Sequence, residues 1–519
     1  MELRKNAYFD SVTLMRVSGD LKKLPGVVEA LVGMGTPLNL ELAANLGLGG
    51  EGFSSVGAND LFIALRVEDE NAYKNALLTL DALLSETAKK REAAYFPPTL
   101  EGALRADGAL NMALISVPGR YAAGVAQKCL YNGLNVMLFS DNVTVEEELK
   151  LKTYAAERGL LVMGPDCGTA IINGVPLAFS NAVRRGRIGM VCASGTGAQE
   201  VSSIIDTLGE GVSQLIGTGG RDLKKEIGGI MMKLGIEALG ADPETEVIVL
   251  VSKPPAREIA EEVLKLAAKT GKKTVVCFIG GDPALISSYG LVPALSLEDA
   301  AHKAVALLKN AEPKDFMGFS MGADAALALA KKENARMAPS QRFVRGYYTG
   351  GTLCDEAMKL LYAPLGRIFS NIPLYPDDAI ADARGRSPAG HTFLDFGDDA
   401  FTAGRPHPMI DPSLRAARVL TEGDDPETAL VLVDCVIGYG SHDDPADELA
   451  EAILKAKARA ERAGRYLSAV AGVCGAQNDP QSLQKTRARL EEAGAVVLPS
   501  NAQAARFSAL VMRQREACP

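Results

Sequence analysis

Short groups of glycines directly follow apolar, strand-like runs along much of the chain, and this pattern limits the folds that the chain can adopt. The sequence holds 52 glycines in 519 residues, about a tenth, against a usual share of about 7%. Glycine allows tight turns and lets backbone N–H groups approach a ligand. From Ala109 onward, strand-like and helix-like segments alternate, which predicts parallel, doubly wound α/β sheets.

Composition and charge disfavour several classes of protein. Lys and Arg number 55 and Asp and Glu 64, so the net charge is −9, and no basic cluster suggests a nucleic-acid or anionic-membrane partner. No apolar stretch approaches the ~18 residues of a membrane span, and no apolar signal core follows Met1. Eight cysteines without a Cys-x-x-Cys pair indicate no metal site or disulfide scaffold. We therefore expect a cytoplasmic, multidomain protein.

The order of predicted elements indicates four domains. Residues 1–100 form a small α/β domain, with strands at Ser11–Val17 and Asp60–Val67 and helices at Leu21–Gly33 and Asn71–Ser85. We expect a Rossmann-like domain at residues 107–183 and two flavodoxin-like domains at 184–310 and 336–519.

The last two domains are predicted to be copies of each other. Residues 242–245 and 425–428 both read D-P-E-T and precede an apolar strand, at an offset of 183 (425 − 242). The upstream glycine loops, compared at Gly197 and Gly351, are offset by 154. The second copy should therefore hold about 29 extra residues (183 − 154), which we place around Pro364–Gly390.

The strongest local signal is the loop Ser194, Gly195, Thr196 and Gly197, which follows an apolar strand and precedes a helix starting near Ala198. The N–H groups at a helix N-terminus favour an anion, and Ser194 and Thr196 add hydroxyl donors. The alternative is an ordinary N-cap. The pattern matches neither a dinucleotide-binding nor a P-loop fingerprint.

A second apolar strand is also followed by small residues, Gly438, Gly440 and Ser441. A helix is predicted to start just after them, with Asp443 and Asp444 near its first turn. His442 lies in this loop, where it can donate a proton or stabilise negative charge. The alternative is an exposed loop histidine.

Further polar residues follow predicted strands or lie in stiff loops. Arg221 suits a carboxylate or phosphate, Lys253 ends a strand, and Arg405 and His407 lie in a proline-rich loop. Each is individually consistent with a solvated turn. Together they are predicted to gather at the carboxyl ends of parallel strands, where open α/β sheets bind ligands.

The motif order resembles the succinyl-CoA synthetase superfamily. Residues 109–310 are similar to its α-subunit through G-P-D-C-G at 164–168, S-G-T at 194–196 and G-T-G-G-R-D at 217–222. Residues from about 346 are similar to the C-terminal domain of its β-subunit through F-L-D-F-G at 393–397 and the 438–440 glycine loop. The whole chain is most similar to the FdrA family of fused acyl-CoA-synthetase-like proteins.

This resemblance implies a CoA-binding-like domain at 107–183 and a phosphate site with the Ser194–Gly197 and Gly438–Ser441 loops on opposite sides, near Arg221. The chain departs from the superfamily in three respects. It lacks the phosphorylated His after the strand Val275–Ile279, the glycine loop that opens the CoA-binding domain, and any ATP-grasp nucleotide domain.

The candidate residues fall into three groups. The catalytic candidates are Arg221, His442 and His407, and the phosphate-binding candidates are Ser194, Gly195, Thr196, Gly197, Gly438, Gly440 and Ser441. The substrate-binding candidates are Asp166, Cys167, Asp222, Lys253, Gly350, Gly351, Thr352 and Arg405.

The resemblance implies acyl transfer from an acyl or carbamoyl phosphate. The first hypothesis is a subunit of a carbamoyltransferase of the oxamate type, because a preformed carbamoyl phosphate needs neither a nucleotide domain nor a phosphorylated His. The alternatives are an acyl-CoA synthetase driven by a nucleotide-binding partner, and a non-catalytic scaffold that binds CoA or phosphate. Further subunits and a homo-oligomer are expected, and CoA is the one cofactor candidate.

Overall fold

The computed structural model describes residues 1–5, 7, 9, 11–92, 97–385, 387–402 and 405–516. These residues form two compact units. The first contains the described residues up to Leu110 together with 402–406, and the second contains 111–401 and the described residues from 407 onward. No helix in the described ranges is both long and apolar enough to cross a membrane.

The first unit is a three-stranded antiparallel sheet, in the order β1-β3-β2, with helices. Its elements are β1 (Glu2–Arg4), α1 (Ser11–Lys22), β2 (Val27–Met34), α2 (Pro37–Asn45), a 3-10 segment (Glu51–Ser55), β3 (Leu61–Val67), α3 (Glu70–Glu92) and α4 (Leu100–Ala106). Leu14, Val17 and Leu21 of α1 pack in its core.

Two of the four elements predicted in this unit are wrong. Ser11–Val17 is helical rather than extended, and most of Leu21–Gly33 lies in β2 rather than in a helix. The buried residues Leu14, Val17 and Leu21 recur at intervals of three and four, which is helical spacing. The predicted strand at Asp60–Val67 and helix at Asn71–Ser85 are confirmed by β3 and α3.

The second unit begins with a small parallel sheet in the order β4-β5-β6. Its elements are β4 (Met112–Ile115), α5 (Gly119–Tyr131), β5 (Asn135–Leu138), α6 (Val145–Ala156) and β6 (Val162–Met163). The alternation of strand and helix is as predicted for the Rossmann-like segment. The domain boundaries themselves stay predictions.

A seven-stranded sheet follows, in the order β13-β12-β11-β9-β10-β7-β8. Its elements are β7 (Thr169–Ile172), β8 (Val175–Ala178), β9 (Arg185–Cys192), α7 (Gly195–Thr207), β10 (Val212–Gly217), α8 (Ile230–Ala241), β11 (Val247–Ser252), α9 (Arg257–Lys269), β12 (Lys273–Phe278), α10 (Pro283–Ser288), β13 (Val292–Pro293) and α11 (Leu297–Leu308). Strands β9 to β13 are parallel and in the flavodoxin-like order. The β7–β8 hairpin adds antiparallel strands at one edge.

A six-stranded parallel sheet completes the unit, in the order β15-β16-β14-β17-β18-β19. Its elements, with the helices around it, are α12 (Ala323–Asn334), β14 (Phe343–Tyr348), α13 (Gly351–Leu365), β15 (Ile368–Ser370), a 3-10 segment (Pro376–Asp378), β16 (His391–Asp395), α14 (Asp399–Thr402), α15 (Ser413–Thr421), β17 (Thr428–Val436), α16 (Pro445–Arg462), β18 (Ser468–Cys474), α17 (Leu483–Glu492), β19 (Val496–Leu498) and α18 (Asn501–Glu516).

The two large sheets share one topology. When β14, β16, β17, β18 and β19 are matched to β9–β13 in chain order, both sheets run 5-4-3-1-2, which confirms the predicted duplication and the flavodoxin-like class. The extra residues of the second copy contain β15 and the 3-10 segment, and they lie between α13 and β16. This position agrees with the insertion predicted around Pro364–Gly390.

A fully buried charge network joins α6 to the loop after β10. The Lys152 ammonium lies 2.8 Å from Glu148, from Asp222 and from the Thr218 carbonyl oxygen. The Lys152 and Glu148 side chains are both inaccessible to solvent. A buried charge is costly unless it is paired and hydrogen-bonded, so this lysine neutralises two carboxylates that would otherwise oppose packing.

We predict that Lys152→Ala lowers the free energy of unfolding by about 3–5 kcal/mol, because it leaves the buried Asp222 without its cation and Glu148 with Arg221 alone. Urea unfolding followed by circular dichroism measures the effect. Lys150→Ala is the control on the same helix, since the Lys150–Glu146 pair is exposed and surface pairs contribute little. Equal losses for the two variants would contradict the prediction.

Candidate functional site

Helices α7 and α13 begin at equivalent points, directly after the first strand of each flavodoxin-like copy. Their amino ends touch: the Ser194 hydroxyl donates to the Thr352 hydroxyl at 2.7 Å, and a Cβ on Gly350 would lie only 2.7 Å from the Thr196 side chain. Ser194 and Gly350 are the two N-cap residues. The site is therefore built by both copies, and glycine at 350 permits the close approach.

Five backbone N–H groups at these helix ends lack an acceptor among the described residues: those of Gly195, Thr196, Gly351, Thr352 and Leu353. The first N–H groups of a helix have no intrahelical partner, and of these only Gly197 N–H is capped, by the Ser194 hydroxyl at 3.0 Å. Neither helix carries an acidic residue in its first turn. Two positive helix ends with free donors form a cradle suited to an anion.

A buried carboxylate fixes the turn that leads into α13. Asp434, near the end of β17, accepts the N–H groups of Thr349 and Gly350 at 2.8–3.0 Å. The buried guanidinium of Arg415 donates to Asp434 at 2.6 Å. Asp434 therefore binds the two N–H groups that precede α13 and none of the first three of the helix itself.

A second carboxylate, Asp395, lies against the first residue of α13. Its Oδ1 accepts the Gly397 N–H at 2.9 Å, and a Cβ on Gly351 would collide with its Oδ2. Burial raises the pKa of Asp395 to about 7, against the lowering effects of the Gly397 N–H and of the Lys253 ammonium. Asp395 therefore changes charge near neutral pH at the edge of the anion cradle.

Lys253 follows β11 and is exposed. Its charge acts on Asp395 and on Cys354 of α13, and it opposes the rise in pKa of both groups. Its ammonium makes no hydrogen bond within the described ranges. A mobile cation next to two free helix ends can complete the neutralisation of a phosphate.

The predicted pairing of the Ser194 loop with the Gly438–Ser441 loop across one phosphate site stays a prediction, and the second loop has its own contacts. Gly438–Ser441 packs on residues 178–181, with the Tyr439 N–H donating to Ser180 at 2.8 Å, and Gln481 binds Gly438 on both sides. No described hydrogen bond joins this loop to the Ser194 loop. Its helix, α16, is capped by Asp444 and carries Asp447 and Glu448 in the first turn, which repel an anion.

Three candidate residues around the Rossmann-like segment have structural partners. Arg221 binds Glu148 at 2.9 Å and the Val143 carbonyl at 2.7 Å, so its charge is already neutralised. Asp222 is fully buried and accepts from Lys152 and the start of α8, which leaves it no free oxygen for a substrate. Burial raises the pKa of Cys167 to about 12, so this thiol is not a nucleophile.

Asp166 is accessible, but partial desolvation together with the negative charges of Asp141 and Asp399 raises its pKa to about 6. It lies in an acidic environment that suits an anion poorly.

The histidines and Arg405 have different surroundings. His407 is half-buried beside Phe179, and burial lowers its pKa to about 4, so it is neutral at physiological pH; its Nδ1 accepts the Met409 N–H. Its Nε2 lies next to Gly397, close to the Asp395 loop. His442 accepts the Asp444 N–H through Nδ1 within the α16 turn. Arg405 belongs to the first unit and is exposed, and Gly404 lies outside the described residues.

The sequence analysis missed Asp395 and Asp434 as site residues. Asp395 lies within the F-L-D-F-G segment that carried the family resemblance, and that motif was the available signal. Asp434 lies inside an apolar strand, two residues before its end, where a charged residue is unexpected. Asn371, whose amide brackets the Asp395 backbone at 2.9 and 3.0 Å, comes from the inserted segment and had no signal.

Family models match three parts of the chain. A CoA-ligase model matches residues 347–511, and a CoA binding domain model matches residues 183–281. The latter lies on the first flavodoxin-like copy, so the CoA-binding-like assignment of 107–183 stays a prediction. A model described as AllF, heavy metal-associated domain, matches residues 1–96. The second unit is thus similar to CoA ligases in both of its copies.

The chain belongs to the same family as the uncharacterized protein YahF of Escherichia coli (strain K12), with 44% identity over 501 residues and 96% of each chain covered. It is 29% identical over 189 residues to the succinate–CoA ligase [ADP-forming] subunit alpha of Aquifex aeolicus, across 35% of this chain and 60% of that subunit. An ADP-forming sulfoacetate-CoA ligase subunit, SauD of Bilophila wadsworthia, is 24% identical over 182 residues, across 34% and 61%. The chain thus spans about 60% of these ligase subunits.

The residues of the first unit do not fit a heavy-metal site. Residues 1–96 contain no cysteine and no histidine, which are the side chains that soft metal ions prefer. No group of three or more potential metal ligands occurs in the described part of the chain. The description of that family model therefore does not carry over to a metal function here.

We predict that sulfate binding weakens as pH rises through about 7, because Asp395 ionises beside the α13 amino end and repels the anion. Sulfate is the probe because it does not titrate in this range. Calorimetric titration between pH 5.5 and 8.5 should show an affinity loss of about tenfold in the native protein. Asp395→Asn should bind at the low-pH strength throughout; a variant with the same pH profile as the native protein would refute the role of Asp395.

Proposed function

We propose that the second unit binds the phosphate of an acyl phosphate between the amino ends of α7 and α13 and transfers the acyl group to CoA. The chain would then be the acyl-transfer part of an acyl-CoA synthetase of the succinate–CoA ligase kind. The single observation that carries this proposal is the pair of touching helix ends with five free N–H groups. The CoA-ligase and CoA-binding matches support the choice of acceptor.

In the proposed step, the CoA thiol sulfur attacks the carbonyl carbon of the mixed anhydride. A C–S bond forms, the bond from that carbon to the bridging oxygen breaks, and phosphate leaves with the electron pair while the thiol proton goes to water. Negative charge builds on the leaving phosphate. Fixed N–H donors at that position stabilise it by about 2.7–4 kcal/mol each in known oxyanion sites.

The residues would divide the work as follows. Gly195 and Thr196 on α7 and Gly351, Thr352 and Leu353 on α13 would bind the phosphate oxygens through their N–H groups. Lys253 would neutralise the remaining charge, and Asp395 would set the pH range of binding. Ser194 holds the two helix ends together. Gly197, whose N–H is capped, serves the turn.

The nucleotide chemistry would come from a partner chain. No ATP-grasp domain is recognisable in the sequence, and the relatives with known activities are named as subunits. A partner that phosphorylates the acid with a nucleoside triphosphate would supply the acyl phosphate. The proposed site then needs no residue that carries the phosphoryl group covalently.

Carbamoyl transfer is the second candidate, and one feature favours it. The connection from β12 to α10 is short and has no histidine, and Lys359 of α13 packs over it, bonding the Ile279 carbonyl at 2.7 Å. A site without a phosphorylated His suits a preformed carbamoyl phosphate. This hypothesis goes with the resemblance of the motif order to the FdrA family. Oxamate would then be the acceptor.

The test mixes the purified chain with acetyl phosphate and CoA and follows thioester formation together with phosphate release. Parallel reactions contain carbamoyl phosphate with oxamate, and each is repeated with proteins encoded beside the gene. Thioester formation supports the synthetase, and phosphate release that depends on oxamate supports the carbamoyltransferase. Sulfate binding without turnover in any mixture would support the remaining alternative, a non-catalytic scaffold that binds CoA or phosphate.

We predict that Lys253→Met raises the KM for the acyl phosphate about tenfold with a smaller change in kcat, because the lysine adds charge to the bound phosphate. The matched control is Lys265→Met, since Lys265 is an exposed lysine on α9. Steady-state kinetics of both variants measure the split. An unchanged KM in the Lys253 variant would remove this lysine from the site.

A further inference from the structure

Two buried glutamates are placed symmetrically on the helices that form the anion cradle. Glu200 lies five residues after the first residue of α7, and Glu356 lies five residues after the first residue of α13. Their offset is 156 (356 − 200), the same as between the N-caps Ser194 and Gly350. Both carboxylates are almost inaccessible to solvent, at 2% and 1% exposure.

Each glutamate reaches across to the other copy. Glu200 of the first copy accepts the Asn501 N–H, at the start of α18 in the second copy, at 2.8 Å. Glu356 of the second copy accepts the Leu297 N–H, at the start of α11 in the first copy, at 2.7 Å. Asn501 and Leu297 are themselves equivalent residues, because each follows a serine that caps the helix. The two bonds are therefore one interaction made twice across a pseudo-two-fold axis.

Asn501 joins the two halves of this arrangement. Its backbone N–H binds Glu200, and its side-chain amide donates to Glu356 at 2.7 Å and to the Leu353 carbonyl at 2.9 Å. Leu353 is one of the residues with a free N–H in the cradle. The contact thus reaches the first turn of α13 directly.

A carboxylate at a helix amino end is a favourable interaction, and two such bonds in a dry interface have defined directions. They hold α7 against α18 and α13 against α11, which leaves α7 and α13 little freedom to slide or rotate relative to each other. Because the free N–H groups lie on the same rigid helices, about 7 Å away by the 1.5 Å rise per residue, the bonds set the spacing of the donors.

We infer that Glu200 and Glu356 are positioning residues that hold the amino ends of α7 and α13 at the separation required to bind one phosphate group. This inference rests on the proposed function for the identity of the ligand, but the geometry that it describes does not. Neither glutamate touches the anion in this scheme; both act through the helices.

The experiment compares Glu356→Ala, Glu356→Gln and Asn501→Ala with the native chain. The measurements are sulfate affinity by calorimetry and amide hydrogen exchange of peptides that cover 198–201 and 354–357, the first hydrogen-bonded turns of the two helices. Glu356→Ala should weaken sulfate binding at least about tenfold and speed exchange at 354–357. Glu356→Gln keeps an acceptor for the Leu297 N–H but loses the one for the Asn501 amide, so its affinity should lie between those of the alanine variant and the native chain.

The Asn501→Ala variant distinguishes an effect on α13 from an effect on α7. It removes the side-chain bonds to α13 but keeps the backbone N–H that binds Glu200. Exchange should therefore rise at 354–357 and stay near native at 198–201. Equal changes at both segments, or no change at 354–357 in a folded variant, would overturn the inference.

Glu333→Ala controls for a general loss of stability. Glu333 is also a buried glutamate and accepts from Tyr466 and Ser468 at 2.8 and 2.7 Å, but it lies on α12. It should lower the melting temperature without changing sulfate affinity, and a loss of affinity equal to that of Glu356→Ala would refute a positioning role. If the native chain binds no sulfate, the proposed function fails, and the exchange pattern alone still decides the positioning inference.

Discussion

The contact between the amino ends of α7 and α13 imposes the constraint that the rest of the second unit satisfies. Each helix end carries about half a positive charge, so two of them in contact repel each other. The chain places two acidic side chains at the α13 turn, Asp434 and Asp395, of which Asp434 accepts the Thr349 and Gly350 N–H groups. These groups counter the repulsion but leave five N–H groups free. An anion is the remaining partner that the arrangement calls for.

Duplication explains how such a contact arises, and divergence explains why it is asymmetric. In the flavodoxin-like order, the loop after the first strand lies at the switch point of the sheet, where ligands bind. Two copies that meet face to face bring both loops together. The first copy closes its helix with the Ser194 hydroxyl, whereas the second uses Gly350 and borrows Asp434 from a neighbouring strand. The third strand of the first copy, β11, is followed by Lys253. The third strand of the second copy, β17, is followed by the Gly438–Ser441 loop, which packs on residues 178–181.

The sequence predicted the fold of the second unit well because parallel strands there are continuous apolar runs ending in glycine. It predicted one half of the cradle, at Ser194–Gly197, and named Gly350, Gly351 and Thr352 only as substrate-binding candidates. The Gly438–Ser441 loop has the same local pattern as the Ser194 loop, but Asp444 and the acidic residues that follow lie at its helix end. The contact of Ser194 with Thr352, 158 residues away, depends on how two sheets pack and has no local signature. In the first unit, the segment Ser11–Val17 was predicted to be a strand, although its apolar residues recur at the three- and four-residue intervals of a helix.

The short connection between β12 and α10 limits how the proposed reaction can proceed. Gly280 has a left-handed backbone (φ 76°), and a Cβ there would press on the Lys359 side chain, which itself is tied to the Ile279 carbonyl and to Asp355. The second copy therefore packs directly on this connection through Lys359, and the connection carries no histidine. Under the proposal, the phosphate cradle acts on an acyl phosphate that arrives already formed. The helix ends then stabilise a leaving group, and the chemistry that makes the anhydride belongs to a partner.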